Sequence, residues 1–247
     1  MAPNLGERSR LPEKMDDPGV PEKEVFQALR ELETINTYLG GYSVILSALN
    51  KLHWPKKEMV IMDLGCGGGD TLRAIARWAK NKNRRVKLIG IDRNPLMTAF
   101  AARQSGDFPN IRYLTCDVFD DNLATHRPDI TMNSLFCHHF DDDALTRLIK
   151  RMYQLSSHAV IINDLHRHWF AYHSIAVLTR LFSRTYLVRY DAPLSVARSF
   201  KKEELRQILY QAGIRQFNLT WRWAWRWELI IKKDTIEYQS QGRAPRI

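Results

Sequence analysis

A doubly wound α/β sheet is the fold class this sequence predicts, and three observations predict it. From Met59 onward, apolar runs of strand length alternate with helix-length amphipathic stretches, the order that builds a mostly parallel sheet with helices on both faces. Three successive runs end in an acid: Val60-Ile61-Met62-Asp63, then Val86 to Asp92, then Ile111 to Asp117. The first is followed at once by the glycine-rich turn Gly65-Cys66-Gly67-Gly68-Gly69 and a helix start.

The elements follow in order. Residues 1–20 hold the breakers Pro12, Pro18 and Gly19 and read as a flexible tail. Pro21 to Leu39 reads as an amphipathic helix. Val25, Leu29, Leu32 and Ile35 recur near helical spacing, and Pro21, Glu22 and Glu24 suit its first turn. Gly40-Gly41 ends it, and Tyr42 to Leu52 forms a second helix before Pro55. These two helices give a cap over residues 21–54, leaving 55–247 for the main domain. Strands are expected at 59–63, 86–91, 111–115, 129–134, 158–164, 214–221 and 226–232, and helices at 70–80, 95–104, 142–155 and 201–212. Ser199 to Glu203 gives the last helix a capping-box-like start, and Gly213 closes it. An insertion at 166–199, with a helix-like stretch from Trp169 to Phe182, is expected over the carboxyl ends of the strands as pocket wall and lid.

Composition narrows the class. A chain of 247 residues suits one α/β domain with a cap. No apolar run approaches the ~20 residues of a membrane span, and the first residues lack an apolar signal core. Three cysteines without a Cys-x-x-Cys pair indicate neither zinc site nor disulfide framework, so a cytoplasmic location is expected. The net charge is +10, and from Ile175 to Lys233 twelve Lys/Arg face four acids. Such a surface is either ordinary solvated charge or a field for an anionic membrane, RNA or an acidic substrate.

The glycine turn is not the Gly-x-Gly-x-x-Gly of dinucleotide sites, and no Lys-Ser or Lys-Thr follows to make a P-loop. Asp63 would repel a pyrophosphate but suits an ammonium. Asp92 stands where an acid accepts hydrogen bonds from ribose hydroxyls, and Asp117 could take the exocyclic amine of an adenine. S-adenosylmethionine (SAM) has an ammonium, a ribose, an adenine and no phosphate.

Asp-Leu-Gly-Cys-Gly-Gly-Gly, then Gly-Ile-Asp, then Cys-Asp-Val resembles the class I SAM-dependent methyltransferase family over roughly residues 55–233. The resemblance implies a Rossmann-like seven-stranded sheet with an antiparallel last strand. It implies SAM as cofactor and S-adenosylhomocysteine as product, held by Asp63, Gly65, Cys66, Gly67, Asp92, Arg93, Asp117, Val118 and Asn133.

Cys137-His138-His139-Phe140-Asp141-Asp142-Asp143 is similar to the Cys-His-Asp-Trp-Ser-Asp-Glu segment of plant-type O-methyltransferases, whose histidine is the general base. That makes His138 the leading candidate base, with His139 and, beyond the fifth strand, His166 as further candidates. A histidine of ordinary pKa ~6.5 can take a phenol's proton near neutrality. No metal is required on this reading, and the Asp141–Asp143 run is expected to cap the next helix.

After the fourth strand, Asn133-Ser134-Leu135-Phe136 replaces the Asn-Pro-Pro-Tyr-like turn of amino methyltransferases acting on nucleic acid. Met15 to Pro18, Tyr38 to Tyr42 and Asn163 to His168 resemble bacterial methyltransferases of polyketide-type phenols or quinones. The expected acceptor is therefore the hydroxyl of an aromatic small molecule. Two rivals stay open: C-methylation of a membrane quinone, with peripheral contact to anionic lipid, and an RNA-binding methyltransferase using Trp221, Trp223, Trp225 and Trp227 with the intervening arginines. Alternation would put those four tryptophans on one face of an extended ribbon, although packing in a terminal hairpin accounts for them as well. The oligomeric state is not legible.

Overall fold

The computed structural model describes residues 4–55 and 57–233. Among these residues seven strands form one sheet: β1 (Met59–Leu64), β2 (Val86–Asp92), β3 (Ile111–Thr115), β4 (Ile130–Ser134), β5 (Ala159–Leu165), β6 (Asn218–Arg222) and β7 (Arg226–Lys232). Their order is β3-β2-β1-β4-β5-β7-β6. The first five are parallel, while β7 runs antiparallel between β5 and β6. The strand order reverses between β1 and β4, so their carboxyl ends open the crevice where such sheets hold ligands. Met59, Ile61, Met62 and Leu64 of β1 are all buried, as are all but the last residue of β5, because helices cover both faces.

Among the described residues eight α-helices surround the sheet: α1 (Glu22–Tyr38), α2 (Gly41–Asn50), α3 (Asp70–Asn81), α4 (Pro95–Gln104), α5 (Asp142–Leu155), α6 (Trp169–Phe182), α7 (Tyr186–Arg198) and α8 (Lys202–Gln211). Their starts are chemically set. Asn94 caps α4 by accepting from Leu96 N, with Pro95 at the first position. Asp141 caps α5 by accepting from Ala144 N at 2.7 Å, as the carboxylate run predicts. At α8 the Glu204 carboxylate accepts from Lys201 N, and Ser199 instead bonds back to Val196 O at the end of α7. No described helix is long and apolar enough to cross a membrane.

The structure differs from the sequence reading in four places. Residues 4–20, expected as a flexible tail, form a strap across the strand ends. Asp191 accepts from the amides of Lys14 and Met15, Arg198 donates to Leu11 O, and the fully buried Arg167 donates to Leu5 O and Gly6 O and pairs with Glu204. These bonds are made by distant side chains, so no local periodicity announces them.

Second, α7 replaces what reads as irregular insertion. Leu187, Val188, Asp191, Leu194, Val196 and Ala197 are buried on several sides of it, and Pro193 lies inside it, so no single apolar stripe marks it. Third, α6 is not the pocket lid. Trp169, Val177, Leu181 and Phe182 are exposed, the last at 78%, and none lines the cavity described below. Fourth, the tryptophan ribbon is broken by a turn at Trp223–Trp225, where Ala224 and Trp225 take φ of 62° and 53°. Trp221 pairs with Trp227 across the hairpin, and Trp225 stacks on Phe170 at 5.0 Å. The basic stretch is partly internal too. Arg198 and Arg226 are buried, and Arg222 pairs with Glu228.

The cap is tied down by Glu31 on α1, which accepts from Ser183 Oγ, Thr185 Oγ1 and the amides of Arg184 and Thr185. Burial alone would raise its pKa, but these hydrogen bonds outweigh burial and hold it below 4.5. A depressed carboxylate contributes stability above its unfolded pKa and loses it as pH falls through the folded one. Hydrogen exchange at the Arg184 and Thr185 amides, corrected for intrinsic rate, should therefore accelerate as pH falls below the ordinary glutamate range. Glu31→Gln should exchange faster at pH 6 already and show no such step; equal protection in both proteins would contradict this role for Glu31.

Candidate active site

A cavity of about 370 Å³ opens at the carboxyl ends of β1, β2, β3 and β4. Its floor is the turn between β1 and α3. Gly65 has φ +77°, and a Cβ there would lie 2.2 Å from the Phe136 ring, so a side chain is excluded twice over. Gly67 has φ +49° and nothing within 4 Å of where its Cβ would be, leaving bare backbone open to a ligand. Asp92 shapes this turn. Its Oδ2 accepts from Gly67 N at 3.0 Å and its Oδ1 from Asn94 N at 2.9 Å, which leaves further lone pairs for a guest.

Asp63 is buried at the end of β1, and its Oδ1 has no hydrogen-bond partner among the described residues. Burial, then the charges of Asp70 and Asp92, push its pKa well up. Asp117, on the exposed rim, uses Oδ1 to accept from Phe119 N. Two cap helices close over the turn: Arg73 donates to Gly68 O at 2.7 Å and pairs with Glu33 of α1, and Tyr42 of α2 donates to Asp70 at 2.8 Å.

A second group of polar residues shares the cavity. His138 is buried in the loop after β4. Its Nδ1 lies 2.8 Å from Oδ1 of Asp164 on β5, and its Nε2 lies 3.5 Å from Glu13 of the strap. The carboxylate can only accept, so Nδ1 bears the hydrogen. Burial lowers the pKa of this ring, but Asp164 and Glu13 together outweigh burial and raise it to about 9. Their own carboxyls are held below their usual range by the histidine, Glu13 at about 2, although burial acts the other way on both. Both carboxylates favour the protonated ring, the opposite of what frees an imidazole to act as a general base. His139 lies beside it, with ring centroids 4.6 Å apart, and its Nδ1 meets Asp16 at 3.2 Å. Arg8 and Arg198 hold this loop through the carbonyls of His138, His139 and Phe140.

Of the residues expected from sequence, Asp63, Gly65, Cys66, Gly67, Asp92, Arg93, Asp117, Val118, His138 and His139 all line the cavity. Asn133 does not. It is fully buried beneath, accepting from the Cys137 thiol, and Ser134, Leu135 and Phe136 reach the cavity instead. His166 does not either. Its amide donates to Trp225 O, and its ring packs 4.8 Å from Trp227, because the chain leaves β5 toward the hairpin. Glu13 and Asp16 lie in the stretch that reads as tail. Asp16 falls within the Met15 to Pro18 segment that carries part of the resemblance, whereas no periodic or local signal marks Glu13.

Residues 61–158 match the family described as "Methyltransferase domain". No curated protein matches the chain. Among solved structures, human N-acetylserotonin methyltransferase in complex with SAM aligns at 16% identity and TM-score 0.60, over 86% of this chain and 56% of its own. The plantazolicin methyltransferase BpumL in complex with S-adenosylhomocysteine aligns at 16% identity and TM-score 0.60, over 86% of this chain and 96% of its own. The CurJ carbon methyltransferase aligns at 18% identity and TM-score 0.54, over 76% of this chain and 51% of its own. The chain thus spans about half the length of two of these three proteins. At these identities the likeness establishes a shared Rossmann-like methyltransferase fold.

Proposed function

From a methyltransferase domain at residues 61–158, set in the fold of SAM-dependent methyltransferases, we propose that this protein transfers a methyl group from SAM to a hydroxyl of a phenolic or polyketide-like small molecule. The observation that carries the donor is the buried, unpartnered Oδ1 of Asp63. Leaving such an oxygen unpaired costs about 1–3 kcal/mol, and the α-ammonium of SAM supplies both the missing donor and the opposing charge. Asp92 has lone pairs for ribose hydroxyls, and Asp117 has a free oxygen for the adenine amine. Bound there, SAM would supply an activated methyl for the acceptor oxygen, with Asp63, Asp92 and Asp117 holding the cofactor beside the cavity.

The residues of the chain then orient the acceptor. Phe119, Phe136 and Phe140 line the cavity, with ring centroids 5.0 Å apart for the last two, and offer flat apolar surface to an aromatic ring. The Glu13–His138–His139 group gives the hydroxyl its polar contact. Alignment alone supplies much of the rate: effective molarities of ~10⁵ M or more correspond to roughly 7 kcal/mol of barrier. Ser134, Leu135 and Phe136, where an amino methyltransferase acting on nucleic acid would carry Pro-Pro-Tyr, support a small acceptor over RNA.

A screen of phenols and quinones with labelled SAM, read by mass spectrometry and NMR, tests this reading. One methyl on oxygen is the expected product. A methyl on ring carbon would replace O- by C-methylation, and transfer confined to RNA would remove the small-molecule reading.

A further inference from the structure

Glu13, His138 and His139 all line the cavity, and one donor atom of each lies within 4.8 Å of the others. Nε2 of His138 is 3.5 Å from one oxygen of Glu13, and Nε2 of His139 is 3.8 Å from the other. Both separations exceed an N···O hydrogen bond, about 2.7–3.2 Å. Both suit two ligands of one cation, each about 2.0–2.2 Å from it. The far edges of the rings are fixed as well. Nδ1 of His138 meets Asp164 at 2.8 Å, and Nδ1 of His139 meets Asp16 at 3.2 Å. Each carboxylate accepts the Nδ1 hydrogen, so each Nε2 is the position open to a proton or a cation. Metal-ligating histidines are oriented in this way, with the distal nitrogen donating to a carboxylate.

We propose that Glu13, His138 and His139 bind one divalent first-row transition-metal cation, with its remaining coordination positions turned to the cavity. Two imidazoles and a carboxylate suit Zn²⁺, Fe²⁺ or Co²⁺, whereas Mg²⁺ and Ca²⁺ take oxygen sets. Three protein ligands leave positions open, as catalytic sites do. The ligands come from two distant segments, so the strap completes the site when it crosses the strand ends. Resting on the methyl-transfer reading, the cation holds the acceptor oxygen and lowers the pKa of its hydroxyl. It thereby supplies what an imidazole clamped between two carboxylates does not.

Untagged full-length protein, stripped with a chelator and dialysed, is titrated with Co²⁺ and then Zn²⁺. One equivalent of Co²⁺ with visible absorption bands, displaced by Zn²⁺, is expected. Glu13→Ala and His139→Asn should each weaken Zn²⁺ binding at least tenfold, and Asp16→Asn about tenfold, with SAM affinity retained in all three as proof of folding. Asp92→Ala should lose SAM and keep the Co²⁺ spectrum. No stoichiometric cation in the wild-type protein, or spectra unchanged in both Glu13→Ala and His139→Asn, would overturn the site. A wild-type protein that binds Co²⁺ but not SAM would leave the site standing and remove the methyl-transfer reading.

Discussion

Replacing Asp92 with alanine is expected to weaken SAM binding by about 100-fold, close to 3 kcal/mol, the scale of one or two hydrogen bonds to a charged group. Two effects combine. In the proposed site the carboxylate offers its remaining lone pairs to the ribose, and it also restrains the glycine turn through Gly67 N and Asn94 N. Asp92→Asn separates them, because an amide oxygen can still accept from one amide but brings no charge. Its affinity should fall between wild type and Asp92→Ala. Calorimetric titration with SAM and with S-adenosylhomocysteine checks this, and unchanged affinity in Asp92→Ala would remove the cofactor assignment. Both ligands should weaken alike, since the ribose is common to them.

His138→Ala should lower kcat by about 10²–10⁴, the range for losing a group on which loss of the acceptor's proton depends, while SAM affinity changes by less than about threefold. The split follows from position: the ring touches Asp164 and Glu13 and none of the glycine turn. The variant carries a structural cost too. Asp164 is fully buried and would lose its imidazole partner, keeping only the amides of His138 and Leu165, a change worth up to about 3–5 kcal/mol for a broken buried pair. His138→Asn is the needed control, since its amide can still donate to Asp164. It should melt closer to wild type yet remain as inactive as His138→Ala. Activity in His138→Asn near the wild-type level would show that the imidazole contributes only packing.

Both predictions use residues that the sequence exposes to different degrees. Asp63, Asp92 and Asp117 are legible because strand periodicity and the glycine turn are local: each acid ends an apolar run, and parallel strands in one sheet must bring those ends to one edge. The same logic places β1 to β5 within a residue or two. His138 is legible as a candidate but not in its charge state, which depends on Asp164, twenty-six residues away, and on Glu13, at a separation of 125 positions. The strap and α7 escape periodicity for a related reason. Each is held by contacts on several sides, so neither shows an apolar stripe.

The sequence by itself determined the sheet, the glycine turn after β1 and the three acids that line the cavity, because these follow from short-range spacing and backbone geometry. Tertiary structure alone decided the rest. It moved His166 and Asn133 out of the cavity, left α6 uncovering its apolar side, and folded Glu13 and Asp16 onto His138 and His139. Long-range burial and charge pairing set those outcomes. Their energies depend on which groups meet across the fold, and nothing in the local order of residues fixes that.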